Sequence, residues 1–159
     1  MRSKMYILFC LAILMLASCS TQKNTWASRS FHQTKTKYNI QYNGQIAFGE
    51  GLEAINQAHE DDYSNILPLY PVSNHEAAKA SASHMDRTIE KCRKCIKLHS
   101  IKAKPKNINH QKRRSDPQYK AWLEQEEFNN QMDNAWLLLA QAEFHKGDFL
   151  GSVSTFNYI

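Results

Sequence analysis

Residues 133–156 read DNAWLLLAQAEFHKGDFLGSVSTF, and this stretch decides the fold. Its apolar residues recur at helical spacing, which predicts one apolar face on a first helix. Gly147 permits a left-handed end to that helix, and Asp148 is well placed to cap a second one. The stretch therefore predicts two helices joined by a tight turn.

The spacing of these residues resembles a tetratricopeptide repeat, a pair of helices with characteristic residues at fixed offsets. We expect the two aromatic residues of the second helix to pack back onto the first. Glu143 departs from the pattern, which often has an aromatic residue there. The alternative is an ordinary helical hairpin with this spacing by coincidence. The matching positions are Trp136, Leu139, Ala140, Phe144, Gly147, Phe149, Ser152 and Phe156.

One such repeat does not bury a continuous core, because about three neighbouring repeats are needed. The pattern reaches Ile159 without completing a repeat unit. We therefore interpret residues 133–159 as an incomplete repeat at the start of an α-solenoid. We expect the chain to be the N-terminal part of a longer protein, or a truncated product.

Residues 1–18 have the features of a secretory signal peptide: a basic start, a short apolar run and small residues at the end. The apolar run, residues 5–16, is shorter than the ~20 residues that span a bilayer. Cys10 lies in it and is interpreted as a small apolar residue that is removed with the peptide.

Leu16-Ala17-Ser18-Cys19 resembles the lipobox of bacterial lipoproteins. The resemblance implies a diacylglycerol on the Cys19 thiol, cleavage between Ser18 and Cys19, and acylation of the new amine. Two or more acyl chains make membrane anchoring stable. The alternative is an ordinary signal peptide followed by an incidental cysteine.

Composition favours an all-α protein. The sequence has only 5 Gly and 4 Pro, which argues against a β-rich or disordered chain. The net charge of +5 falls to +3 without the signal peptide, and we expect no nucleic-acid partner for a mildly basic exported protein. Helices are predicted near residues 45–60, 74–99, 117–130, 133–146 and 148–159.

The predicted organisation has four parts: the signal peptide 1–18, a lipidated tether 19–44, a helical region 45–132 and the repeat 133–159. Residues 20–37 are polar without helical period, as in a tether. In residues 38–42, Tyr and Ile alternate with polar residues before Asn43-Gly44, which predicts a short extended segment and a turn.

Within the region 45–132, apolar spacing predicts the packed sides of two helices. The first has Phe48, Leu52, Ile55 and His59. Between the helices, Ile66, Leu67, Leu69 and Tyr70 are expected to fold back onto them. A capping box over residues 73–76 predicts the start of the second helix. Its apolar seam is Ala78, Ala82, Met85, Ile89, Cys92, Ile96 and His99.

Residues 102–114 contain six positive charges and no acid, so they are interpreted as a linker between helices. The linker could contact acidic lipid headgroups or an acidic partner, and the alternative is a solvated loop. Asp116 and Pro117 then predict the next helix start. Asn129-Asn130 is a candidate interruption of that helix.

Cys92 and Cys95 form a single CxxC motif. With His99 they could hold zinc, or they could be a redox pair. Redox-active pairs lie at a helix start, where the helix dipole lowers the thiol pKa, whereas this motif is predicted deep inside a helix. We therefore favour a structural role, with a disulfide or a metal site as alternatives.

We expect no enzymatic activity, no cofactor and no small-molecule substrate. The histidines show no further ligand spacing, and neither a phosphate-binding glycine loop nor a nucleophile elbow is present in the sequence.

The order of the segments resembles the N-terminal region of the SprE/PorW-like lipoproteins, which are tetratricopeptide lipoproteins of gliding motility and type IX secretion in Bacteroidetes. The resemblance implies a periplasm-facing lipoprotein of the outer membrane that acts as a scaffold between proteins of the secretion apparatus. A repeat lipoprotein of another envelope complex, such as one for nutrient uptake, is the alternative. The matching segments after the lipobox are residues 38–44, 61–68, 85–90, 96–101 and 133–140.

Overall fold

The structure, a computed structural model, describes residues 21, 23–67, 69–71 and 74–159. None of these residues lies in a strand, which confirms the all-α prediction. The helices are α1 (Trp26–Lys37), a π-helical segment (Tyr38–Gly44), α2 (Gln45–Ala58), α3 (His75–His99), α4 (His110–Ser115), α5 (Pro117–Glu124), α6 (Met132–Lys146) and α7 (Phe149–Tyr158).

The longest helix, α3, is central to the packing. Helices α2 and α6 both pack against it, and α7 packs against α6. Met85, Ile89 and Cys92 are buried on α3 and belong to the same apolar cluster as Ile55 of α2 and Leu139 of α6. In the described part of the chain, no helix has both the length and the apolar composition needed to cross a membrane.

The predicted seam of α3 is confirmed in its middle and shifted at its start. Ala77 and Ser81 are fully buried there, whereas Ala78 and Ala82 are only partly buried. The predicted seam follows a seven-residue repeat, and on a straight helix residues at that spacing rotate about 20° per heptad around the axis. The predicted seam therefore leaves the packed side of α3 within about two heptads, and neighbouring residues are buried instead.

Helices α2 and α3 approach closely at Gly51. A Cβ atom at this position would lie 2.6 Å from Met85 Cε and 3.1 Å from His84 Cβ. Glycine is therefore the residue that allows this contact between the two helices.

The prediction of an irregular tether is wrong for residues 26–44. Helix α1 begins after Thr25, whose side chain accepts a hydrogen bond from the Ser28 backbone N–H at 3.2 Å. Its packed side consists of Ser28, His32 and Thr36, spaced four residues apart. A search for apolar periodicity misses this helix because its buried side is polar.

Hydrogen bonds attach α1 to the rest of the molecule. The Asn129 side-chain amide donates to Thr36 Oγ1 at 2.8 Å and to the His99 carbonyl oxygen at 2.9 Å. Asn24, just before α1, donates to the Ala103 carbonyl oxygen at 2.8 Å. The first described segment is thus held against the body of the protein.

The predicted extended segment and turn at residues 38–44 are also wrong, because these residues form a π-helical segment. Ile40 is buried, and Tyr38 and Tyr42 are exposed. Residues two apart in a helix differ in direction by about 200° around the axis. Over five residues a helix can therefore show the same alternation of apolar and polar residues as a strand.

The apolar residues between α2 and α3 do not fold back as predicted. Ile66 is 98% exposed and Leu69 is 87% exposed, although the Tyr70 ring contacts the Phe144 ring at 5.6 Å between centroids. Helix α3 starts one residue later than the capping box predicts, because Asn74 is its N-cap and its side chain accepts a hydrogen bond from the Glu76 backbone N–H. The Ser73 position of the predicted capping box lies outside the described residues.

Helix α5 begins as predicted at Pro117, with Asp116 as its N-cap, but it ends at Glu124 instead of near residue 130. The Glu127 carboxylate accepts hydrogen bonds from the backbone N–H groups of Ile101 and Asn129, at 2.7 and 2.8 Å. These bonds hold the chain after α5 in a non-helical path. The predicted linker 102–114 contains most of the short helix α4.

Gly147 and Gly49 form a matched pair for substitution by alanine. Gly147 has φ +90°, so Gly147→Ala should destabilise the fold by about 1–2 kcal/mol. Gly49 lies within α2 with open space around its Cα, so Gly49→Ala should stabilise the fold by about 0.5–1 kcal/mol. Urea denaturation measures both. Shifts in the same direction would contradict this description of the two backbone positions.

Candidate protein-interaction surface

Helices α6 and α7 form the predicted hairpin. Gly147 ends α6 in the left-handed conformation, as the sequence predicted. Asp148 caps α7, and its carboxylate accepts a hydrogen bond from the Gly151 backbone N–H at 3.0 Å. Both turn residues therefore have their predicted roles.

Side-chain contacts show that the two helices run antiparallel. Phe144 and Phe149 meet next to the turn, with ring centroids 5.5 Å apart. Trp136 and Tyr158 meet at the open end, with centroids 4.5 Å apart. The hairpin is thus fixed at both of its ends by aromatic contacts.

The side of α7 that packs against α6 is small and polar. Ser152 is 2% exposed, and its hydroxyl donates to the Ala140 carbonyl oxygen at 2.8 Å. The Thr155 hydroxyl donates to Glu143 Oε2 at 2.6 Å. Hydrogen bonds satisfy these hydroxyl groups, so α7 packs without burying its large apolar side chains.

The contacts of the Glu143 side chain account for the absence of an aromatic residue at this position. Its side chain is 3% exposed and forms an ion pair with Arg93 of α3, with 2.8 Å between Oε1 and Nη2. The other carboxylate oxygen accepts the Thr155 hydroxyl. One buried carboxylate therefore connects α3, α6 and α7, which an aromatic residue could not do.

The repeat-signature residues divide into two groups. Leu139 and Ala140 are buried, and Trp136 packs against the core. The prediction that Phe149 and Phe156 pack back is wrong for Phe156, which is 44% exposed, and only partly right for Phe149, which contacts Phe144 but remains 48% exposed. The reason is that Ser152 and Thr155 occupy the packed side of α7.

The outer side of α7 is an exposed apolar surface, which we call the α7 face. At 100° per residue, its members lie within about one third of the helix circumference. Leu150 is 87% exposed and Val153 is 58% exposed. Exposed apolar patches of this kind mark association sites. The α7 face comprises Phe149, Leu150, Val153 and Phe156.

The predicted lipidation and cleavage residues, Cys19 and Ser18, lie outside the described residues, so lipid attachment stays a prediction. The thiols of the CxxC motif are described. Cys92 and Cys95 are both buried and free, and Cys92 lies in the apolar core as predicted.

Burial sets the chemistry of these thiols. It raises the pKa of Cys92 from 9.0 to about 12, with smaller contributions from Cys95 and Glu143. Burial also raises the pKa of Cys95, against a hydrogen bond from Thr36 that lowers it. The thiolate is the reactive form of cysteine, and here it is disfavoured.

His99 does not complete a metal site with the thiols. Its Nδ1 atom lies 2.9 Å from His32 Nδ1. Burial lowers the pKa of His99, and His32 and Lys35 lower it further. In the described ranges, no three His, Cys, Asp or Glu side chains are grouped so that they could hold a metal ion.

No model of a known protein family matches the chain, and no curated protein matches it either.

The thiols should be inert in the folded protein. In a chain with Cys10→Ser and Cys19→Ser, Cys92 and Cys95 should react slowly with a disulfide reagent at pH 8 and rapidly after unfolding in urea. Keeping the Cys92 thiol neutral stabilises the fold fully below about pH 9, and this contribution is lost as the pH rises towards its folded pKa of about 12. Rapid reaction in the folded state would favour the thiol-redox alternative instead.

Proposed function

We propose that this protein is a lipid-anchored scaffold that binds other envelope proteins through the α7 face. The observation that carries the proposal is the orientation of α7. This helix packs through Ser152 and Thr155 and leaves its apolar side exposed. A partner helix with its own apolar stripe is the chemistry that such a surface fits.

The lipobox supports the membrane part of the proposal. With Cys19 lipidated, the anchor is four residue steps from Lys23, which precedes α1. Four extended residues span at most about 14 Å. Because α1 is held against the body by Asn129, the anchor keeps the whole protein next to the membrane surface.

The resemblance to SprE/PorW-like lipoproteins supports a more specific role. The protein would face the periplasm from the outer membrane and join components of the type IX secretion and gliding machinery. The α6–α7 hairpin, with Gly147 at its turn, is compatible with a tetratricopeptide-type unit. We keep a scaffold of another envelope complex as the second candidate, since the α7 face fits any helical partner.

Two charges on the α7 face should weaken partner binding. Leu150→Glu with Val153→Glu should weaken association with secretion-apparatus proteins by about thirtyfold or more, as expected for central contact residues. Both side chains are exposed, so the free energy of unfolding should change by less than about 0.5 kcal/mol. Co-purification from gently solubilised envelopes and thermal unfolding measure the two effects.

Ser83→Glu with Asn56→Glu is the matched control, because it adds the same charge at exposed polar positions of α3 and α2, away from the α7 face. The control should bind partners normally. Recovery of the unsubstituted protein without any envelope partner would contradict the scaffold proposal.

Cys19→Ser should abolish lipid attachment, because only the cysteine thiol accepts the diacylglycerol. The variant should lose radiolabelled palmitate, whereas Cys10→Ser should retain it as a matched control. Labelling in cells followed by fractionation makes the measurement. Undiminished palmitate labelling of Cys19→Ser would refute the lipoprotein assignment.

A further inference from the structure

A second surface of the protein combines aromatic rings with positive charges. It is a groove of about 470 Å³ that is lined by the start of α1, by residues 105–107 and by α5. We call it the aromatic–basic groove. Six of its lining residues matter here, namely Lys23, Trp26, Arg29, Lys106, Tyr119 and Trp122.

Stacked side chains form the wall of this groove. The Tyr119 and Trp122 rings stack with centroids 5.7 Å apart and planes 23° apart. The Arg29 guanidinium lies over the Trp122 ring at 5.2 Å, and the Lys112 ammonium lies over the Tyr119 ring at the same distance. Trp26 stands beside them and is 77% exposed.

A basic cleft adjoins the groove along the chain. It has a volume of about 450 Å³ and is lined by His110, Arg113, Arg114 and Lys120. Lys120 of the cleft follows Tyr119 of the groove on α5, and Arg113 follows Lys112, whose ammonium lies over the Tyr119 ring, so the two features meet at α5. No acidic residue lines the cleft. The carboxylate of Asp116, which lies between α4 and α5, is 3.8 Å from the Lys112 ammonium.

The side chains favour a membrane surface as the occupant. An exposed tryptophan beside several lysines and arginines is the composition found where proteins meet the headgroup region of a bilayer. The charge of the groove and the cleft complements anionic lipid headgroups. Lys23 and Trp26 are four and seven residues from Cys19, so the proposed lipid anchor holds this surface within about 14–25 Å of the headgroups.

We propose that the aromatic–basic groove and the adjoining cleft form a membrane-docking surface for anionic lipid headgroups. Docking fixes how the anchored protein is oriented on the bilayer. The choice of a membrane as the occupant rests on the proposed lipid attachment at Cys19, whereas the groove itself does not depend on it.

The experiment uses the full chain extracted from envelopes and reconstituted into vesicles that contain brominated lipids, which quench tryptophan emission. One set is phosphatidylcholine alone, and the other contains phosphatidylglycerol as well. Quenching should be clearly greater in the anionic vesicles, because docking brings Trp26 to the headgroups. About 0.5 M salt should remove the excess by screening the charges.

Charge reversal tests the cations directly. Lys106→Glu with Arg113→Glu and Arg114→Glu should reduce quenching to the level of the neutral vesicles, because each basic residue strengthens binding to an anionic surface by about fivefold. Lys79→Glu with Lys94→Glu and Lys97→Glu reverses the same number of exposed charges on α3 and should keep the excess. The circular dichroism spectra of both variants should match that of the unsubstituted protein, which checks that the variants fold.

Equal quenching in the two vesicle types would overturn the proposal, as would a loss of the excess in the α3 control. A different result would point to an acidic protein as the occupant of this surface. In that case the anionic vesicles give no excess quenching, the unsubstituted protein binds polyglutamate, and the charge-reversed variant does not bind polyglutamate. Palmitate labelling tests the lipid anchor separately, so failure of docking and failure of the proposed function give different results.

Discussion

The described structure depends on one continuous buried side of α3. Helices α2 and α6 both pack against that side, and they contact each other much less than they contact α3. Met85, Ile89 and Cys92 are therefore shared by two helix interfaces at once. The close approach at Gly51 and the ion pair between Arg93 and Glu143 add contacts specific to this arrangement. A change on this side of α3 would loosen both neighbours together.

Polar contacts, in contrast, position the elements around this core. Helix α1 is attached through Thr36 and Asn129, and α7 is attached through Ser152 and Thr155. Hydrogen bonds depend strongly on geometry, so these contacts fix position while burying little apolar area. This is why a helix as apolar as α7 keeps its large side chains outside, where a partner can reach them.

The two exposed surfaces differ in chemistry and so in what they can bind. The α7 face is aliphatic and aromatic without charge, as a surface for another helix should be. The aromatic–basic groove pairs rings with cations, as a surface for anionic headgroups should. In the function proposed here, the lipid anchor, the docking surface and the α7 face would act together in an adaptor that is held and oriented at a membrane while it presents an apolar helix. In this description the buried thiols of Cys92 and Cys95 belong to the core and take no part in binding.

The sequence by itself determined the all-α class, the middle of the α3 seam and the turn of the last hairpin. Those features follow from local rules: apolar period, the caps at Asp116 and Asp148, and the left-handed conformation of Gly147. Only the tertiary structure decided that residues 26–44 are helical, because the packed side of α1 is Ser28, His32 and Thr36, which no apolar pattern marks. It also decided that Phe156 is exposed and Glu143 is buried. Phe156 is exposed because Ser152 and Thr155 hold the opposite side of α7 against α6, and Glu143 is buried because Arg93 and Thr155 bind its carboxylate. The aromatic–basic groove likewise depends on tertiary structure, because Arg29 lies over the Trp122 ring across a long stretch of sequence, and sequence periodicity carries no information about such a contact.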